Sequence, residues 1–142
     1  MSTRTRILLG IAGAAILLLT FLWSGRPGIL NHEWTLSAID GKAVVPGVEV
    51  TAEFERQPFG RIRGNSGCNT YRASYTRRGA AIQVEDPVRT DAGCPTPEMT
   101  EQERTYFALL AEATGYTVEG DTLTLTTDDG HTLIFTARGG NP

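Results

Sequence analysis

Apolar residues recur at every second position through most of Glu33–Ala137, and that spacing commits the chain to strands with one dry face and one wet face. In Val48–Phe54, Val48, Val50, Ala52 and Phe54 share a face, while Glu49, Thr51 and Glu53 share the other. Trp34–Ile39 alternates in the same way and runs into Asp40-Gly41, a turn signal. Gly60–Gly64 sets Arg61 and Arg63 opposite Ile62, and Tyr71, Ala73 and Tyr75 line one side of the next run. Ala80–Glu85 reads as a further strand stopped at Asp86-Pro87. The tail, Tyr116–Ala137, reads as three short strands with Leu123, Leu125, Leu133, Phe135 and Ala137 facing inward. Glu119-Gly120-Asp121 and Asp129-Gly130 separate them, the second as a type I′ pair.

The rhythm breaks once, between Pro97 and Thr114. There Met99, Tyr106, Leu110 and Ala113 fall near helical spacing, and Phe107 and Leu109 widen the stripe. Thr96 suits the N-cap, Pro97 the first turn, Glu98 and Glu101 the positive end of the dipole, and Gly115 the C-terminal stop. The predicted class is α+β: about seven or eight antiparallel strands in a curved or partly closed, barrel-like sheet, with one helix packed on it.

Ahead of this domain, Ile7–Trp23 holds 17 residues without a charge. As a helix it reaches roughly 26 Å, close to the apolar thickness of a bilayer. Leu22 or Trp23 would occupy the −3 position of a signal-peptidase site, where a small residue is wanted, and the first cysteine is Cys68. An uncleaved signal anchor over 1–24 is therefore expected, ahead of a cleaved signal peptide. Residues 25–31 form a short tether and 32–138 the domain. Arg4 and Arg6 precede the apolar run, so the positive-inside rule keeps the N-terminus in the cytoplasm. The expected location is the bacterial inner membrane, single-pass, with the C-terminal domain in the periplasm or outside the cell. Residues 27–142 carry 10 Lys and Arg against 16 Asp and Glu, a net of −6. That balance argues against nucleic acid as a partner.

Two cysteines, Cys68 and Cys94, are most simply a disulfide in an exported domain. A nucleophilic Cys68 would need a base, and His32 and His131 lie in no catalytic motif. CxxC and HxxxH spacings are absent, so no metal site is expected. Glu98 and Glu101 are the carboxylates a hydrolase reading would use, although dipole complementation accounts for them. No cofactor is indicated. Arg61, Arg63, Arg72, Arg77 and Arg78, with Arg56, fall in a stretch without an acid. They form a candidate docking patch for anionic lipid or an acidic partner, set against the plainer reading of solvated strand residues paired with nearby Glu.

Several ordered pieces resemble the META/HslJ family of small bacterial envelope domains: Glu33–Lys42, Gly60–Tyr75, Arg89–Met99, Glu101–Leu110 and Tyr116–Phe135. Gly67, Cys68, Asn69, Tyr71 and Cys94 are its signature positions here. Ala73, where the family usually has Gly, and Ala92-Gly93, where it commonly has Met-Ala, depart from it. The resemblance implies a β-rich fold with one helix, sited in the envelope and linked to stress or antibiotic tolerance. It transfers no catalytic residue. The function expected is a non-enzymatic binding or scaffold module whose partner is an envelope protein, anionic lipid or a small apolar ligand. The alternatives are a thiol- or carboxylate-dependent enzyme and a protease-inhibitor-like module.

Overall fold

A computed structural model describes residues 28–30, 32–56 and 59–139. The strands are β1 (Glu33–Ile39), β2 (Lys42–Ala43), β3 (Thr51–Glu55), β4 (Arg61–Asn65), β5 (Thr70–Arg78), β6 (Ala81–Arg89), β7 (Ala113–Glu119), β8 (Thr122–Thr127) and β9 (Thr132–Ala137). The single described helix, α1 (Pro97–Ala111), joins β6 to β7. Every pairing between named strands is antiparallel, in the order β2-β1-β3-β4-β5-β6-β7-β8-β9, and β1 also pairs with β9. The result is an eight-strand closed barrel, with β2 a two-residue strand beside β1. Closure goes further than the partly closed sheet predicted, because Trp34 and Thr35 of β1 pair with β3 on one edge and with β9 on the other.

Alternation does the filling. Trp34, Leu36, Phe54, Ile62, Tyr71, Tyr75, Ile82, Val84, Leu123, Leu125, Leu133 and Phe135 all point inward and are buried. An eight-strand barrel is just wide enough for its own side chains. The weakest seam lies between β6 and β7, which share one register pair, Ala81–Gly115, and a Tyr116 N–H bond to the Ala80 carbonyl at 2.9 Å. Helix α1 packs on β6 and β9 and adds Tyr106, Leu109 and Leu110 to the core. Tyr106 meets Tyr71, Phe107 and Phe135 edge-to-face, with ring centroids 5.5 to 6.4 Å apart. Edge-to-face pairs add about 0.5–1.5 kcal/mol each beyond burial.

The helix begins as expected: Thr96 Oγ1 accepts from the Met99 N–H at 3.2 Å, with Pro97 in the first turn. Its end is different. Glu112 is the C-cap and Gly115 lies within β7, where a register shift between Ala113 and Gly115 bends the strand. Asp86-Pro87 does not stop β6. Asp86 takes a positive φ of 50°, and a bulge opposite Arg72–Ser74 absorbs the irregularity so that pairing resumes at Val88. The type I′ turn belongs to Asp40-Gly41, with φ of 49° and 74°, rather than to Asp129-Gly130, where only Gly130 has positive φ. Among the described residues no helix is long and apolar enough to cross a membrane. The expected anchor over 1–24 lies outside the described residues.

Candidate functional site

The signature residues meet at one end of the barrel, where the β4–β5 turn is clasped to the segment entering α1. Asn65 Oδ1 accepts from the Gly67 N–H at 2.6 Å, and the Ser66 N–H donates to the Asn69 carbonyl at 2.8 Å. That tight turn needs Gly67, whose φ is +98° and where a Cβ would lie 2.5 Å from Val48 Cγ1. Cys68 is thereby presented to Cys94, and the two form a disulfide with Cα atoms 5.2 Å apart.

Asn69 is buried and all its side-chain polar atoms are used. Its Oδ1 accepts from the Ala92 N–H at 2.7 Å and from Thr90 Oγ1 at 2.8 Å. Its Nδ2 donates to the Ala92 carbonyl at 3.0 Å and to Glu103 Oε1 at 2.9 Å. Ala92, at one departure from the family pattern, thus serves Asn69 through its backbone, so the side chain there is free to differ. Ala73, the other departure, is buried opposite Ile62 beside the bulge.

Glu103 is the residue sequence reasoning missed. It is 4% exposed on the buried face of α1, in the same stripe as Tyr106 and Leu110. Its Oε1 accepts from Ser66 Oγ at 2.5 Å, and its Oε2 lies 2.8 Å from Arg89 Nη1. The Arg89 guanidinium also stands 5.2 Å from the Phe107 ring centroid. The available signal was an acid seven residues before Leu110 and three before Tyr106, on a stripe otherwise apolar. Tyr71 donates to the Thr51 carbonyl at 3.0 Å, and its hydroxyl oxygen lies 2.5 Å from that of Tyr106. Burial pushes both phenols well above their ordinary range.

Cys68, Cys94 and Glu103 place ligand atoms within 4.8 Å of one another. As a disulfide the sulfurs offer no thiolate to a metal or a substrate. Neither histidine joins them: His131 Nδ1 lies 2.8 Å from Asp40 Oδ2, and His32 stacks edge-on to Trp34. Glu98 and Glu101 sit exposed on α1, with Glu101 bound to Arg104 at 2.6 Å.

Of the five arginines of the docking patch, Arg63 alone makes an ion pair among the described residues. Arg61, Arg63 and Arg72 share the outer face of β4 and β5. Glu53 and Glu55 stand opposite Arg63 and Arg61 in register, and Arg63 is ion-paired to both at 2.9 and 2.7 Å. Arg77 bonds the Tyr116 hydroxyl at 3.3 Å, and Arg78 lies exposed beside the β5–β6 turn. For Arg63, the acids absent from the sequence window are thus supplied by the adjoining strand. Beside this face, Arg72, Val88 and Arg89 line a groove of about 370 Å³.

Two solved structures share the fold. An NMR structure of a protein from Burkholderia xenovorans is 25% identical, covers 79% of this chain and 85% of its own, and has a TM-score of 0.65. A second NMR structure is 22% identical, covers 74% and 87%, and has a TM-score of 0.59. No curated protein matches the chain. The pattern of the META domain matches residues 28–140, which take in the whole of the barrel and its helix, and the chain belongs to the META domain family.

Proposed function

We propose that this META domain is a non-enzymatic binding or scaffold module of the bacterial envelope, held at the outer surface of the inner membrane by residues 1–24 and serving stress or antibiotic tolerance. The observation that carries the non-enzymatic reading is the engagement of the signature residues: Cys68 is bonded to Cys94, and Asn69, Ser66 and Glu103 are spent on one another and on the backbone. Groups committed in this way hold a shape and leave no nucleophile or base free to react. The barrel interior is taken up by Trp34, Phe54, Tyr106 and Phe135, so a partner is met on the outside. The tether rests on the uncharged run Ile7–Trp23 and on Arg4 and Arg6 before it.

One experiment tests location, anchor and cystine together. Spheroplasts carrying the full chain are treated with a membrane-impermeant maleimide, with and without an impermeant phosphine reductant, and the chain is weighed by mass spectrometry. The expected product is an uncleaved chain that takes two adducts after reduction and none before. Adducts without reductant would restore the thiol-enzyme reading. A requirement for lysis would put the domain in the cytoplasm, and a mass lacking the first two dozen residues would remove the anchor.

A further inference from the structure

A cleft of about 610 Å³ runs between the β1–β2 hairpin and the N-terminal half of α1, away from the signature cluster. Its apolar lining comes from Ile39, Ala43 and Pro97, and its charged lining is Asp40, Glu98 and Glu101 with Lys42; His131 holds Asp40 and Arg104 holds Glu101, which leaves Glu98 as the carboxylate without an ion pair among the described residues. A sheet edge open to solvent and the side chain of Gln102 both line the cleft. β2 ends the strand order and pairs with β1 alone. The Val44 N–H donates to the Ser37 carbonyl at 3.3 Å, so antiparallel alternation turns the N–H and C=O of Ala43 away from β1. Gln102 Oε1 accepts from the Val45 N–H at 2.6 Å, while Nε2 is buried without a partner, the one such side-chain atom among the described residues.

We propose that this cleft binds an extended, cationic segment of a partner protein by strand addition to β2. This rests on the binding-module reading above and names its partner's chemistry. A backbone segment is the ligand that can donate to and accept from Ala43 at once, and a turn of the Gln102 amide toward the cleft would give Nε2 its next carbonyl as the acceptor it lacks. A basic side chain answers Glu98, and small apolar ones fit against Ile39 and Ala43. With one outward-facing residue on β2, the site suits brief, reversible contact rather than a permanent interface.

The test titrates the full isotope-labelled chain, in zwitterionic micelles, with a capped pentapeptide of alternating Lys and Val. The expected result is saturable shifts at residues 39–45 and 97–105, including the Gln102 side-chain amide. Methylating the central peptide nitrogens, replacing Lys by Glu in the peptide, or the exposed change Glu98→Lys should each weaken binding about tenfold, the loss of one good polar contact. N-methylation leaves the protein untouched, so folding does not confuse that arm. Absence of saturation, shifts centred on the Arg72–Arg89 groove, indifference to N-methylation, or a second copy of the chain occupying β2 would overturn the proposal. The maleimide result in spheroplasts is independent of all four, so failure here leaves the location and anchor standing.

Discussion

Removing the Glu103 carboxylate tests whether the clasp at the barrel end holds the fold together. In Glu103→Ala, Ser66 Oγ can turn to the Asn69 carbonyl, already 2.9 Å away, and Arg89, with 45% of its side chain exposed, can turn to water. Asn69 Nδ2 keeps the Ala92 carbonyl for one proton, and its second proton is stranded in a buried site. One orphaned donor costs about 1–3 kcal/mol, and the void left on a packed helix face adds about 1. The expected loss is therefore about 2–4 kcal/mol, out of the 5–15 that domains generally have. Glu103→Gln keeps an acceptor for Ser66 and Asn69 but sets an amide donor where Oε2 faced Arg89 and Asn69 Nδ2. It loses the partly screened pairing with Arg89 and strands a donor, without opening a void, so it should cost about 1–3 kcal/mol, less than the alanine. The assay is urea unfolding of the oxidised full chain in micelles, followed through the fluorescence of Trp34, which is fully buried. An unchanged slope confirms that stability moved and the end states did not. If Glu103→Ala costs less than about 0.5 kcal/mol, like an ordinary surface change, the reasoning about the clasp fails.

Three further outcomes follow from the same contacts. Reduction of Cys68–Cys94, which closes a loop of sequence separation 26, should lower stability by about 3–4 kcal/mol in the same urea titration. Gly64→Ala would drive a Cβ into the Thr51 carbonyl, a backbone group that cannot step aside; a loss above about 3 kcal/mol, or failure to accumulate folded protein, is expected by circular dichroism. Tyr71 and Tyr106 have phenol pKa values raised by burial, so their contribution is complete below the ordinary tyrosine range and disappears as pH climbs above it. Absorbance at alkaline pH should show these two ionising only together with loss of the fold, and Tyr71→Phe plus Tyr106→Phe should remove that coupled step.

Where one residue's local pattern decides its place, the sequence was enough. Leu123 and Leu125 alternate with threonines, Leu133 and Phe135 flank Ile134 between two threonines, and all four face the core; the Thr96-Pro97 pair starts the helix where capping chemistry says it should. The misplaced features share a different physics: each is decided by a partner far along the chain. Asp86-Pro87 looks like a stop because proline cannot donate to a ladder, yet the bulge opposite Arg72–Ser74 lets β6 continue. Gly115 looks like a helix stop because glycine tolerates positive φ, but it sits in β7, where a Cβ would lie 2.8 Å from Thr126 Oγ1. Glu103 hides best. An acid on a helix reads as solvated unless Ser66, Asn69 and Arg89, from the β4–β5 turn and β6, are known to converge on it. Arg63 is hidden in the same way: the window 56–78 holds no acid, and Glu53 and Glu55 reach Arg63 only across the β3–β4 ladder. Charge read along a strand therefore misstates the charge of a sheet, whose surface is composed across strands about 4.8 Å apart.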